Sequence, residues 1–212
     1  MELSNKTMIY CISIAILIIL FGTAMSLTKL QKVQNLAGLV TSGSVNITIA
    51  TTAAINVSQD TINWSSGQVS QGFSSATLDT NNETAYVKGG TWSSAGIKGF
   101  TLQNIGNVPV NITINSTEDN SSYIGGTGPQ FRFEARIATG NSSACEAGLL
   151  SGQKEFERSN RTRICNVFNY TVNRDHLIVD INISIPENAP SGSKNTTIRF
   201  NACDVSSGSC AA

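Results

Sequence analysis

Charge is scarce in this chain of 212 residues: 14 basic and 14 acidic side chains make up 13% of it, about half the share of an ordinary soluble domain. So sparse and balanced a set leaves no basic field for nucleic acid and no acidic field for cations. Histidine occurs once, at His176 before an apolar run, where it reads as a solvent-edge residue. Serines abound, but there is no G-x-S-x-G elbow, and no second histidine is present to serve as a base. No C-x-x-C pair and no phosphate-cradling glycine loop occurs, and "GGTGP" (Gly125–Pro129) reads as a turn. Glu134 and Glu155 sit in charge-alternating contexts that solvation explains better than a glycosidase pair does. The chain reads as a non-enzyme without catalytic residues.

Uncharged polar residues take the place of charge. Ser, Thr and Asn number 26, 21 and 21, about a third of the chain. Residues 1–26 stand apart as a hydrophobic signal or anchor segment, because Met8 to Leu27 carries no charge and is one bilayer long. A cleaved signal peptide would place Lys6 in its n-region, Ile12 to Phe21 in its core and Ala24-Met25-Ser26 at its cleavage site. A retained anchor would continue through residues 27–42, where Leu27, Leu30, Val33, Leu36, Ala37 and Val40 recur at helical spacing. In either case the remainder is expected to be exported to the cell surface, tied to the membrane through the helix if that helix is kept. Four cysteines follow: Cys145, Cys165, Cys203 and Cys210. An even count in an exported domain suggests disulfides, and three pairings are possible. The local ones, Cys145–Cys165 and Cys203–Cys210, would contribute roughly 3 and 2.5 kcal/mol in the chain-entropy model.

From residue 43 to 212 the pattern is strand and turn. "SVNITIA", "GFTLQNIG", "VPVNITI", "FRFEARIA", "HLIVDINISIP" and "TTIRFNAC" alternate apolar with polar residues. Weaker candidates lie at Ile55–Trp64, Ala76–Asp79, Ala85–Lys88 and Val167–Val172. Eight to ten short strands between Gly-, Ser- and Asn-rich turns predict an all-β, antiparallel, immunoglobulin-like β-sandwich preceded by an N-terminal hydrophobic helix. The charged stretch 145–165 is expected to be a disulfide-closed insertion at one end of it.

N-x-S/T sequons number thirteen, at Asn5, Asn46, Asn56, Asn63, Asn82, Asn111, Asn115, Asn120, Asn141, Asn160, Asn169, Asn182 and Asn195, where chance placement gives about five. In "NIT" and "NIS" the middle Ile belongs to the apolar face, so Asn and the hydroxyl residue share the outward one. Dense N-glycosylation is one reading, and a bare Asn/Thr-rich surface is the other. Among cofactors only calcium finds candidates: Asp79, Asn81 and Glu83 alternate in "DTNNE", and Glu118 and Asp119 lie in "STEDNSS". Neither follows EF-hand spacing, and such loops are usually turns. Trp64 and Trp92 could stack sugars or fill the core.

"GFTLQNIGNVPVNITI" and "IPENAPSGSKNTTIRF" resemble paired strands of immunoglobulin-like modules. With the N-terminal hydrophobic helix and "SGSVNITI", the layout is similar to small exported β-sandwich proteins of archaeal cell surfaces, including pilus and S-layer-associated subunits and TasA/camelysin-like filament subunits. The resemblance implies a structural or adhesive role, either as a subunit of a filament, pilus or coat or as a membrane-tethered carbohydrate-binding module. It implies partners that are further copies or other surface proteins. "MELSNKTMIY" lacks the basic segment ending in Gly or Ala that type IV pilin processing needs. The early strands "SVNITIA" and "AAINVS" are the candidate donors for strand addition between subunits.

Overall fold

The computed structural model describes residues 13–14, 16–19, 47–48, 50–81 and 84–207. The chain divides into two compact units, residues 1–49 and 50–212. In the first, residues 13–14 and 16–19 are helical. Most of the expected hydrophobic segment and all of the extension 27–42 lie outside the described residues. Among the described residues, no helix is long and apolar enough to cross a membrane. The expected strand "SVNITIA" is not formed where it is described. Ile47, Thr48 and Ala50 belong to no strand, and Ile47 is 78% exposed. Alternation makes a strand only where a neighbouring ladder accepts its backbone groups.

The second unit is all-β, with antiparallel sheets. Its strands are β1 (Ile55–Gln59), β2 (Ser75–Asp79), β3 (Tyr86–Lys88), β4 (Phe100–Asn104), β5 (Val110–Ser116), β6 (Gln130–Ile137), β7 (Cys145–Ala147), β8 (Lys154–Glu155), β9 (Thr162–Phe168), β10 (His176–Pro186) and β11 (Ile198–Asp204). One helical turn, Asn120–Tyr123, interrupts them. The smaller sheet runs β11-β5-β9-β7. The larger is organised around the eleven-residue β10, which pairs with β6 along one edge, and β8 adds to β6. Its other edge is divided: β4 takes His176–Val179 and β2 takes Asn182–Pro186, with β1 and β3 beyond them.

Alternation explains the core. Leu78, Leu102, Phe131, Phe133, Leu177 and Val179 from the larger sheet and Val110, Ile112, Ile114, Ile164 and Phe168 from the smaller are at most 1% exposed and belong to one apolar cluster. Phe100 and Phe200 meet edge-on at 5.5 Å, joining the two sheets. Phe156 packs on Phe131 and Phe133 at 4.4 and 4.6 Å. The turn in "NIGN" crosses from one sheet to the other. Asn104, 2% exposed, donates to the carbonyls of Val108 and Phe168, both at 3.1 Å, and accepts from the Gly106 N–H. Asn107 binds residues 50–52 through both ends of its amide. A side chain on Gly106 would collide with the Thr52 carbonyl, which is why glycine stands there.

The segment 145–165 is disulfide-closed as expected, but it is no appendage. Cys145–Cys165 links β7 to β9 inside the smaller sheet, while β8 pairs with β6 in the larger. The strand expected at Val167–Val172 lies earlier, at Thr162–Phe168, because the chain turns at Asn169. That side chain accepts from the N–H groups of Tyr170 and Thr171.

Candidate functional site

The gap between β4 and β2 leaves Asp180 and Ile181, at the middle of β10, without a strand on that edge, while β6 pairs with them on the other. Two substitutes fill it. Thr80 donates its N–H to the Ile181 carbonyl (3.0 Å), and its hydroxyl accepts the Ile181 N–H (2.9 Å) while donating to Asp180 Oδ1 (3.0 Å). The threonine hydroxyl thus takes the place of a backbone carbonyl. On the other side Gly99 approaches so closely that a Cβ there would lie 2.6 Å from Asp180 Oδ1 and 2.7 Å from the Val179 carbonyl. Arg136 on β6, in register with Ile178, reaches diagonally to place Nε 2.6 Å from Asp180 Oδ2. Asp180 is 5% exposed, and a carboxylate so deep requires its bonds made in full.

Asp79, at the end of β2, is the one residue of the expected calcium set whose surroundings are well defined. It is 3% exposed and saturated by protein donors. Oδ1 accepts from the Asn81 N–H (2.9 Å), and Oδ2 accepts from Asn182 Nδ2 (2.6 Å) and the Tyr86 hydroxyl (3.2 Å). Burial, then the Asp79 charge, pushes the Tyr86 phenol up. Asn81 is exposed, and Glu83 lies outside the described residues. In the second candidate loop, Asp119 caps the helical turn: its Oδ1 accepts from the Ser122 N–H and the hydroxyls of Ser121 and Ser122, at 2.8 to 2.9 Å. The Ser122 N–H foremost, then the two hydroxyls, lower its carboxyl to about 2. Glu118 faces Arg158 at 4.0 Å. Among the described residues no three His, Cys, Asp or Glu side chains converge as metal ligands.

The sequons fall into four groups. Asn56 on β1 and Asn63, Asn160 and Asn195 in loops are exposed. Asn111, Asn115, Asn120, Asn141 and Asn182 are half-buried. Asn5, Asn46 and Asn82 lie outside the described residues. Asn169 is only 7% exposed, with its amide nitrogen donated to Glu146 Oε1 (2.9 Å), so the folded chain offers it no outward position. The outward face expected for "NIT" at 111–113 needs correction as well. Thr113 is 1% exposed, because β5 lies between β11 and β9 with Asn201 and Arg163 in register on either side. Cys203 is disulfide-bonded, and its expected partner, Cys210, lies outside the described residues.

The two tryptophans separate. Trp92 lies against glycine backbone, since a Cβ on Gly67 or Gly90 would come within 2.4 or 2.7 Å of its ring. Trp64, 7% exposed, belongs to the core cluster, and its indole N–H has no hydrogen-bond partner. It also lines a cleft of about 360 Å³ with Phe100, Tyr123 and Phe131 on the apolar side and Asp60 and Lys194 on the polar side. Sequence reasoning missed the Thr80–Asp180–Arg136 cluster and the contact of His176 with Asp175, whose only signals were a charge inside an apolar run and an adjacent Asp-His. No protein-family model, curated protein or solved structure matches the chain.

Proposed function

We propose that the chain is an exported structural glycoprotein of a cell surface, a subunit of a filament, pilus or coat in the manner of the archaeal surface proteins it resembles. The 50–212 unit would be an immunoglobulin-like sandwich facing outward, with the N-terminal hydrophobic segment anchoring or assembling it. The observation that carries this reading is the placement of the sequons. Nine of the ten sequon asparagines among the described residues are exposed or half-buried, the exception being Asn169. The Cys145–Cys165 bond adds support, since such bonds persist in oxidising compartments. Subunits would join by strand addition. "AAINVS" already pairs with β4 of its own chain, so the donor falls to the segment before Ala50 and the acceptor to a sheet edge such as β1 or β11.

The test is intact mass with glycopeptide mapping on native protein from a surface extract, followed by sedimentation without detergent. Sugar at Asn56, Asn63, Asn160 and Asn195, an intact N-terminus and concentration-dependent assembly are expected. A bare chain beginning at Leu27 that stays monomeric when concentrated would overturn the proposal. The cleft beside Trp64 favours a second reading, a tethered carbohydrate-binding module. A Trp64→Phe variant that keeps its fold but loses sugar binding would decide for it.

A further inference from the structure

The only histidine in the chain stands in a hollow on the outer face of the larger sheet. His176 opens β10, and its Nδ1 lies 2.8 Å from Asp175 Oδ1. Asp175 is 7% exposed and also accepts from Gln103 Nε2 (2.9 Å), while its N–H goes to Asn141 Oδ1. A carboxylate only accepts, so Nδ1 carries the hydrogen of that bond and Nε2 is the ring's remaining polar atom. The hollow holds about 330 Å³ and is lined by Lys98, Thr101, Thr139, Asn141, His176 and Ile178, together with Gly99 and Ala138. None of these is a carboxylate. Ile178 and Thr101, in register on β10 and β4, are adjacent in its wall. Gly99 holds the chain carrying Lys98 tight against β10, as no larger residue could.

We propose that this hollow is an oxyanion site, taking a phosphate, sulfate or carboxylate group, and that binding brings a proton to His176. The ammonium of Lys98, the Thr101 hydroxyl and the Asn141 amide, whose nitrogen makes only a 3.5 Å contact to the Thr139 carbonyl, supply donors at once. His176 supplies another when Nε2 is protonated. The imidazolium then lies between Asp175 behind it and the bound anion before it, and it is the added anion that favours the charged ring. Other charges near the ring are already engaged: Arg136, opposite Ile178 on β6, faces Asp180, and Arg174 pairs with Glu146 at 2.7 Å. The anion therefore enters a hollow whose unshared cation is Lys98, and a proton from solvent completes the set. This site needs no second copy, but it does need the Asn141 sequon to carry no glycan.

A single imidazole makes the test direct. The full-length chain, made without glycans so that Asn141 keeps its amide and held in non-ionic detergent, is labelled at histidine nitrogen. His176 is then titrated by NMR in chloride, inorganic phosphate and acetate at equal ionic strength. The protonation midpoint is expected to rise by about half a unit or more in phosphate relative to chloride. Lys98→Gln, an exposed position whose change leaves the amide spectrum dispersed, should cut the phosphate effect about tenfold. A rise in phosphate without one in acetate assigns the site to phosphate or sulfate groups, and the reverse assigns it to carboxylates. Equal midpoints in all three salts, or a rise that Lys98→Gln leaves intact, would overturn the proposal.

Discussion

Replacing Thr80 by Val removes one oxygen and keeps the shape of the side chain, and the fold of the larger sheet predicts a large penalty for it. Thr80 is fully buried, and its hydroxyl has two partners, the Ile181 N–H and Asp180 Oδ1. Without it the Ile181 N–H faces the division between β4 and β2, where no strand offers a carbonyl. A buried donor left unpaired costs about 1–3 kcal/mol, and loss of a bond to a charged acceptor costs roughly 1.5–3. Both losses come from one hydroxyl, so they do not simply add. The extra methyl of valine returns up to ~0.8 kcal/mol. The net expectation is a loss of roughly 2–4 kcal/mol.

Thr80→Ser supplies the control, because it keeps the oxygen and gives up one methyl, a loss of about 1 kcal/mol. Urea unfolding of the full chain measures both, and in a unit of this size Thr80→Val should lower Tm by roughly 5–15 °C. The account of the divided sheet fails if Thr80→Val unfolds within ~0.5 kcal/mol of the parent. It fails equally if Thr80→Ser proves as damaging as Thr80→Val, since the methyl and not the hydroxyl would then be holding the gap.

Two further outcomes follow from the same unit. Changing Cys145 and Cys165 together to Ser frees a loop with a sequence separation of 20 and should cost about 3 kcal/mol in the chain-entropy model, read as a lower urea midpoint; an unchanged midpoint would remove the bond from the stability account. In acid, the Asp119 carboxyl, lowered to about 2 by the Ser122 N–H and the neighbouring hydroxyls, contributes stability that is full above the ordinary carboxylate range and lost as pH falls toward 2. Asp175 acts in the same direction: burial raises its carboxyl, yet the hydrogen bonds from Gln103 and His176 and the histidine charge outweigh that and hold it low. Asp119→Asn should therefore lower stability at neutral pH and flatten the acid limb, its curve meeting the parent's toward pH 2, and a parent curve with no acid slope would refute both assignments.

Strands with one apolar face were legible in the sequence because their period of two survives in the fold. "FRFEARIA" became β6 with Phe131, Phe133 and Ala135 inward, as its alternation required. The local disulfide was legible for a similar reason, since a short separation leaves few places for the partner. The contacts at the divided edge of β10 were not. They draw on Thr80, Gly99, Arg136 and Asp180, up to 100 positions apart, and no local pattern marks a hydroxyl that will replace a carbonyl. β7 and β8 were hidden by length, two or three residues being too few to show a period. Alternation also misjudged the second face of β10, where Ile178 is 6% exposed between β4 and β6, and Asp180 is 5% exposed between β6 and the Thr80 and Gly99 that fill the gap.

The preference for Asn and Thr over Lys and Glu on strand faces then has a physical cause that does not depend on sugar. On β5 the outer side chains Asn111 and Asn115 flank Thr113, which is 1% exposed, and Asn111 Oδ1 is buried without a partner. An ammonium or carboxylate at such a place would lose its hydration and need a counter-charge, whereas an amide or hydroxyl carries a smaller desolvation cost. An amide also donates and accepts at once. Asn104 and Asn169 use that property fully, each donating and accepting at a turn, and Asn182 donates to the Asp79 carboxylate. The sequon asparagines therefore fall into two kinds on this chain. Asn56, Asn63, Asn160 and Asn195 are exposed, while at Asn169 and Asn182 the amide nitrogen is held by a carboxylate of the fold itself. Glycan occupancy should divide along that line wherever attachment follows folding.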